Sequence, residues 1–173
     1  ETTGLNPDDG DRIVEIGCVE LLNHLPTGEE FHTYINPGMT MPESAFKIHG
    51  LSDEFLRDKP GISDVLDAFL DFLGSSTLVI HNAEFDLKFL RREISVVGGS
   101  RELKNQVVDT LSEARKKFPG AQASLDALCR RFKIDNSDRE LHGALKDARI
   151  LSKVYLELLG GSQTDLELIN DAT

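Results

Sequence analysis

The hydrophobic pattern changes period part-way along the chain. Residues 12–20 (RIVEIGCVE) and 30–36 (EFHTYIN) alternate and are rich in β-branched residues, as strands are. A loop containing Asn23, Pro26 and Gly28 joins them, which predicts an antiparallel hairpin. Pro37 to Pro42 breaks this pattern, and short helical pieces are expected over 43–49 and 52–56. Ile62, Val65, Phe69, Phe72 and Leu73 then recur at helical spacing, with Gly74 as a stop. Leu78-Val79-Ile80 is short enough to be a buried strand and feeds a helix over 83–97, for which Asn82 is the expected N-cap. A strand at 107–109, helices near 111–118 and 124–132, and a last helix over 143–159 complete the order. Strands first and strand–helix alternation afterwards predict an α/β domain with a mixed sheet flanked by helices.

The 173 residues are 39% apolar and 28% charged, which suits one globular domain without disulfide or metal staples. Residues 1–160 are expected to form that domain and the polar residues 161–173 a flexible tail. No apolar run is long enough for a membrane span and no signal peptide opens the chain, so the expectation is a cytoplasmic protein without a membrane partner. Cys18 and Cys129 fit no zinc spacing and read as small buried hydrophobes. A formal charge of −11 argues against holding nucleic acid through a broad basic face; cations would have to mediate any contact with a phosphodiester. The clusters Arg91-Arg92, Arg115-Lys116-Lys117 and Arg130-Arg131 fall on predicted helices, where a solvated face is the simpler account.

In the final helix Asp147 falls on the apolar stripe formed by Ala144, Leu151, Val154 and Leu158. An acid on such a face is costly unless paired, so a buried salt bridge or a misjudged face stands beside a functional reading. Asp86 repeats the pattern ahead of Phe89, Leu90 and Val97, although a first-turn acid is also favoured by the helix dipole. Together with Glu1 in front of a Thr-Thr-Gly turn, these acids suggest carboxylates gathered around hard cations, for which Mg²⁺ or Mn²⁺ is better suited than zinc. Two divalent ions would carry more positive charge than Glu1, Asp86 and Asp147 offset, so one further acid is wanted.

Three segments, in order, carry a family resemblance: Glu1-Thr2-Thr3-Gly4, His81-Asn82-Ala83-Glu84-Phe85-Asp86, and His142-Gly143-Ala144-Leu145-Lys146-Asp147. They are similar to the motifs of the DnaQ-like exonucleases with a catalytic histidine, the DEDDh group on the ribonuclease-H-like fold. The resemblance covers nearly the whole chain. It extends, for the proofreading subunits of bacterial DNA polymerase III, to Ala45–Gly50, Phe118-Pro119-Gly120, Ser124–Cys129 and Ile134–Ser137; those relatives usually have a glutamate where this chain has Ser44. The family's first motif begins Asp-x-Glu at the end of a central strand. The resemblance therefore implies that this strand, and the missing acid, lie upstream of Glu1, and that domain 1–160 is incomplete at its N-terminus.

By that resemblance Glu1, Asp86 and Asp147 are the metal ligands of two divalent cations, Mg²⁺ or Mn²⁺, and His142 is the general base. Histidine suits the task because its reference pKa of about 6.5 leaves it ready to accept a proton at neutral pH. Thr2, Thr3, Gly4 and His49 are expected near the terminal nucleotide, with Gly4 allowing close backbone approach. His81 and Asn82 are expected to support the second motif, and His24 and His32 to be surface residues of the hairpin. The implied reaction is 3′→5′ removal of nucleoside monophosphates from single-stranded or frayed DNA ends, in replication proofreading. The implied partners are a DNA 3′ end and the alpha subunit of polymerase III; Gln163–Leu168 resembles a docking peptide for the sliding clamp. The alternatives are an exoribonuclease of the same fold, or a catalytically silent module that docks on polymerase and clamp.

Overall fold

In the computed structural model, which describes residues 1–160, β1 (Glu15–Leu22) and β2 (Leu25–Tyr34) form the antiparallel hairpin. Their connection is shorter than the expected loop. Only Asn23 and His24 turn, with φ of 52° and 67°, the mirror-image geometry that follows the twist of paired strands. Pro26 and Gly28 lie inside β2 instead, at a bulge where Val19 opposes Glu30 but Leu21 opposes Pro26. On the other side of β1, Val14 N–H donates to Glu1 O and Thr3 N–H to Arg12 O, each at 2.9 Å, so the first residues run back along the strand. A 3₁₀ turn at Pro7–Asp9, capped by Asn6, was not foreseen from the sequence.

The helices α1 (Glu43–His49), α2 (Asp53–Leu56) and α3 (Ile62–Leu73) lead to β3 (Leu78–Ile80). Helix α4 (Ala83–Val97) crosses over to β4 (Val107–Asp109), which pairs parallel with β3 in register, Ile80 opposite Asp109. Then come α5 (Thr110–Lys117), α6 (Leu125–Phe132) and α7 (Ala144–Leu158). Local chemistry sets several of these starts: Ser52 accepts from Phe55 N, Ser124 from Ala127 N and Asp109 from Leu111 N. Asn82 stands at the start of α4 but makes no side-chain cap; its backbone is left-handed, φ 62°, and its N–H donates to Asp109 Oδ1 at 3.0 Å.

Among the described residues the strands form two separate two-stranded sheets, the antiparallel β1–β2 and the parallel β3–β4. One core of Ile13, Ile16, Ile35, Phe69, Leu73, Leu78, Phe89 and Leu90 fills the space between hairpin, α3 and α4. A second, of Ala114, Leu125, Leu128, Cys129, Ile150 and Val154, joins α5 and α6 to α7. Each large apolar side chain buried there contributes about 1.5–3 kcal/mol. Helix α7 packs across β1, where Gly17 leaves no room for more than hydrogen: a Cβ would run into the backbone of Ala144 and Leu145. Both cysteines are free, and burial pushes the Cys18 thiol up to about 12, in keeping with small hydrophobes rather than reactive groups. No helix among the described residues is long and apolar enough to cross a membrane. Residues 161–173, with Gln163–Leu168, lie outside the described residues.

Candidate active site

Helix α7 opens directly after the loop that carries His142, so His142 and Asp147 share one end of one element. That loop is pinned by the His142 N–H, which donates to Ile48 O at 2.9 Å. Running beside β1, the first residues bring Glu1 to the same place. Ligand-type atoms of Glu1, His142 and Asp147 all lie within 4.8 Å of one another, and all three residues are partly buried. Asp86, in the first turn of α4, stands outside this close group but near it. Burial pushes its carboxyl up to about 6, and the carboxylates of Glu1 and Asp109 push the same way. A carboxylate raised by burial and by like charge gains most from a nearby cation.

The donor set fits a hard divalent ion. Two of the three clustered donors are carboxylates and none is a cysteine, and the carboxyls of Glu1 and Asp86 push against one another. Asp147 is also ion-paired, however. Arg139 grips both of its oxygens, Nε to Oδ1 at 2.5 Å and Nη2 to Oδ2 at 2.9 Å. The salt-bridge reading of this acid thus holds.

The residues expected near a terminal nucleotide are placed unevenly. Thr3 is fully buried; its hydroxyl donates to Asp11 and accepts from Arg12 N, so its side chain faces inward. Gly4 is required by Asp11, whose carboxylate occupies the space a Cβ would take. Thr2 Oγ1 donates to Gly4 O at 2.7 Å. His49 is buried with both ring nitrogens engaged: Nδ1 accepts from Leu51 N at 3.0 Å and Nε2 meets Thr2 O at 3.1 Å. Burial lowers its pKa, and the neutral ring locks α1 to the Thr-Thr-Gly turn. His81 supports the second motif through a 2.9 Å contact between Nδ1 and Thr110 Oγ1.

His32 is exposed, as expected of a surface residue of the hairpin, and its Nε2 lies 2.7 Å from Oε2 of Glu15, a buried acid whose Oε1 accepts the Ala144 N–H. Sequence reasoning passed over Glu15, Asp109, Asp126 and Arg139. Glu15 had a signal, an acid between Val14 and Ile16 in a strand with both faces covered. Arg139 had none, because its partners come from two other elements.

A family model described as Exonuclease matches residues 1–155. The chain is 55% identical over 174 residues to the DNA polymerase III subunit epsilon of Rickettsia prowazekii, covering 98% of this chain and 76% of that protein. It is 48% identical over 168 residues to the Escherichia coli subunit of that name, covering 93% and 69%. Among solved structures, exonuclease X in complex with 5′ overhanging duplex DNA superposes with a TM-score of 0.73 at 26% identity, over 94% of this chain and 89% of that one. The nuclease domain of 3′hExo, a DEDDh family member bound to rAMP, reaches 0.79 at 18% identity, over 93% and 88%, a likeness of fold.

Proposed function

The chain belongs to the Exonuclease family, and on that premise we propose that it hydrolyses single-stranded or frayed DNA from the 3′ end as the proofreading exonuclease of a bacterial DNA polymerase III. The observation that carries this reading is the meeting of Glu1, His142 and Asp147 within 4.8 Å, with the raised carboxyl of Asp86 beside them. The ribonuclease-H-like fold brings these residues from three separate segments to one place.

Glu1, Asp86 and Asp147 are the residues that would hold divalent cations, two of them, Mg²⁺ or Mn²⁺. Bound there, the ions would supply a water nucleophile of lowered pKa and offset the charge on the phosphate and the leaving 3′-oxygen. His142, on its loop at the edge of this group, takes the proton of the attacking water. Glu15 and Arg139 hold the segment that carries His142 and Asp147. His49 fixes the Thr2 carbonyl, and so sets the backbone of the turn that faces the terminal nucleotide.

An acidic protein can bind DNA in this way because contact is made at an end, through cations, and not along a basic face. Selectivity for errors needs no base reading: a mismatched end frays and so reaches the site more often. The polymerase alpha subunit is the partner this reading requires, and Gln163–Leu168 would contact the sliding clamp.

The test uses a chain that carries the aspartate of the first motif, a 3′-labelled DNA strand and the matched RNA strand. Mg²⁺- or Mn²⁺-dependent release of monophosphates, faster on DNA, is expected. Asp86→Ala, Asp147→Ala and His142→Ala should each lower it at least about a hundredfold. Undiminished activity in Asp86→Ala or Asp147→Ala would remove the site assignment, and preference for the RNA strand would make the protein an exoribonuclease.

A further inference from the structure

Among the ion-paired cations of the described residues, Arg139 has the least exposed side chain. Its side chain is only 7% exposed, it lies three residues before His142 in the same loop, and it joins two carboxylates from different helices. Toward α7 it makes the two-pronged contact with Asp147. Toward α6 its Nη1 donates to Asp126 Oδ1 at 2.6 Å. Asp126 also accepts Asn136 Nδ2 at 2.9 Å, and Asn136 O in turn accepts the Arg139 N–H at 3.0 Å. The two sequence segments Ser124–Cys129 and Ile134–Ser137, which the reaction leaves without a role, therefore meet at the Asp126 carboxylate that this guanidinium also holds.

We propose that Asp126 and Arg139 form a charge-neutral orienting pair for Asp147, so that one loop sets both the ligand carboxylate and the position of His142. The proposal rests on the reading of Asp147 as a metal ligand. A guanidinium fork uses one lone pair on each carboxylate oxygen and leaves the others for a cation, so gripping Asp147 does not by itself remove it from the site. The difficulty is charge. A lone arginine beside Asp147 would cancel the negative charge that draws the cation and would repel the ion directly. Asp126 removes that difficulty, because Arg139 with Asp126 is neutral and Asp147 keeps its full charge. Arg139 is thus a positioning residue, rigid because it is held from two sides, and its hydrogen bonds restrict Asp147 to one orientation before any ion arrives.

The arrangement predicts a pattern that simple support of the fold would not give. With Arg139 removed, Asp147 loses its orientation and metal binding weakens. With Asp126 neutralised, Arg139 is left with Asp147 as its only counter-ion and competes with the metal, so binding weakens again for the opposite reason. With both changed, the competition is gone and only the loss of orientation remains.

The experiment is calorimetric titration of the full-length protein with Mn²⁺, without substrate, well below the melting temperature of each variant. Asp147→Asn is the control for the ligand reading. Arg139→Gln should weaken Mn²⁺ binding about tenfold, and Arg139→Lys, which keeps the charge but not the fork, by less. Asp126→Asn should weaken it severalfold, and the double variant should be no weaker than Arg139→Gln alone. If Asp147→Asn binds Mn²⁺ as well as the unaltered protein, the ligand reading fails and the proposal with it. If Asp147→Asn loses binding while Arg139→Gln stays within about twofold of the unaltered protein, or the two single losses add in the double variant, the proposal alone is overturned. Should Arg139→Gln not fold, Arg139→Lys decides: unchanged binding overturns the proposal.

Discussion

Glu15 Oε1 accepts the backbone N–H of Ala144 at 3.0 Å, so a buried acid in the hairpin caps the helix that bears Asp147. Its other oxygen meets His32. Glu15→Ala would leave the helix start and His32 without this partner and open a void, a loss of about 2–3 kcal/mol. Glu15→Gln keeps an acceptor for Ala144 and should lose only about 1 kcal/mol. Urea unfolding of both variants measures the difference, and equal losses would show that the cap to α7 has no special weight.

Asp86 should make the metal-free protein less stable than it could be. Its carboxyl titrates near 6 in the fold, against an ordinary 3.8, so the native state holds a proton that the unfolded chain has already released. Stability from this group is therefore greatest below pH about 4 and falls as pH rises through 6. Asp86→Asn should stabilise the protein in chelator by about 2 kcal/mol at pH 7.5, after allowance for partial exposure, and have little effect at pH 4. Thermal melts at the two pH values would show it; an asparagine variant that melts no higher at pH 7.5 contradicts the burial of this charge.

At Gly17 the smallest added side chain should be felt at the active site. A methyl group there meets the backbone of Ala144 and Leu145, which cannot yield as a flexible side chain would. Gly17→Ala should cost about 2–3 kcal/mol and displace the start of α7, lowering Mn²⁺ affinity as well. Calorimetry and unfolding together test this, and a stable variant with unchanged metal binding would mean that α7 is held less rigidly than the packing indicates.

Arg12 and Glu93 tie the turn after Glu1 to α4, at 2.8 and 2.9 Å, with Glu93 only 2% exposed. Arg12→Ala strands a buried carboxylate and should lose about 3 kcal/mol, at the low end of such losses because Arg12 is itself partly exposed. Replacing both residues by methionine should come within about 1 kcal/mol of the unaltered protein. Chemical unfolding of the single and double variants forms the cycle; a double variant as weak as Arg12→Ala would assign the loss to packing and not to charge.

Much of the fold is readable in the sequence because period and punctuation agree. Leu78–Ile80, Ala83–Val97 and Ile62–Leu73 have the observed bounds, since each combines an apolar pattern with a clear start or stop. The hairpin turn is less legible, because Pro26 and Gly28 are ordinary loop residues, while the residues that turn, Asn23 and His24, carry only half of the usual signal. At the candidate site, acids on apolar faces pointed to Asp86 and Asp147, the Thr-Thr-Gly turn to Glu1, and the resemblance supplied His142. The supporting groups were hidden for a different reason. Arg139, Asp126 and Glu15 act through partners 8, 13 and 129 residues away, and no local pattern records a contact that only the tertiary fold creates.

The bulge in β2 has a consequence away from the chemistry. β2 is the outer strand of its ladder, and an outer strand offers unpaired backbone groups to any passing chain. Pro26 has no N–H to offer, the slipped register bends the strand, and the exposed Glu29 places a negative charge where an incoming acidic copy would pair, while Glu30 is held by Arg149. The hairpin is thereby blunted against intermolecular strand addition, so the same irregularity that obscured the turn guards the protein against seeding its own aggregation.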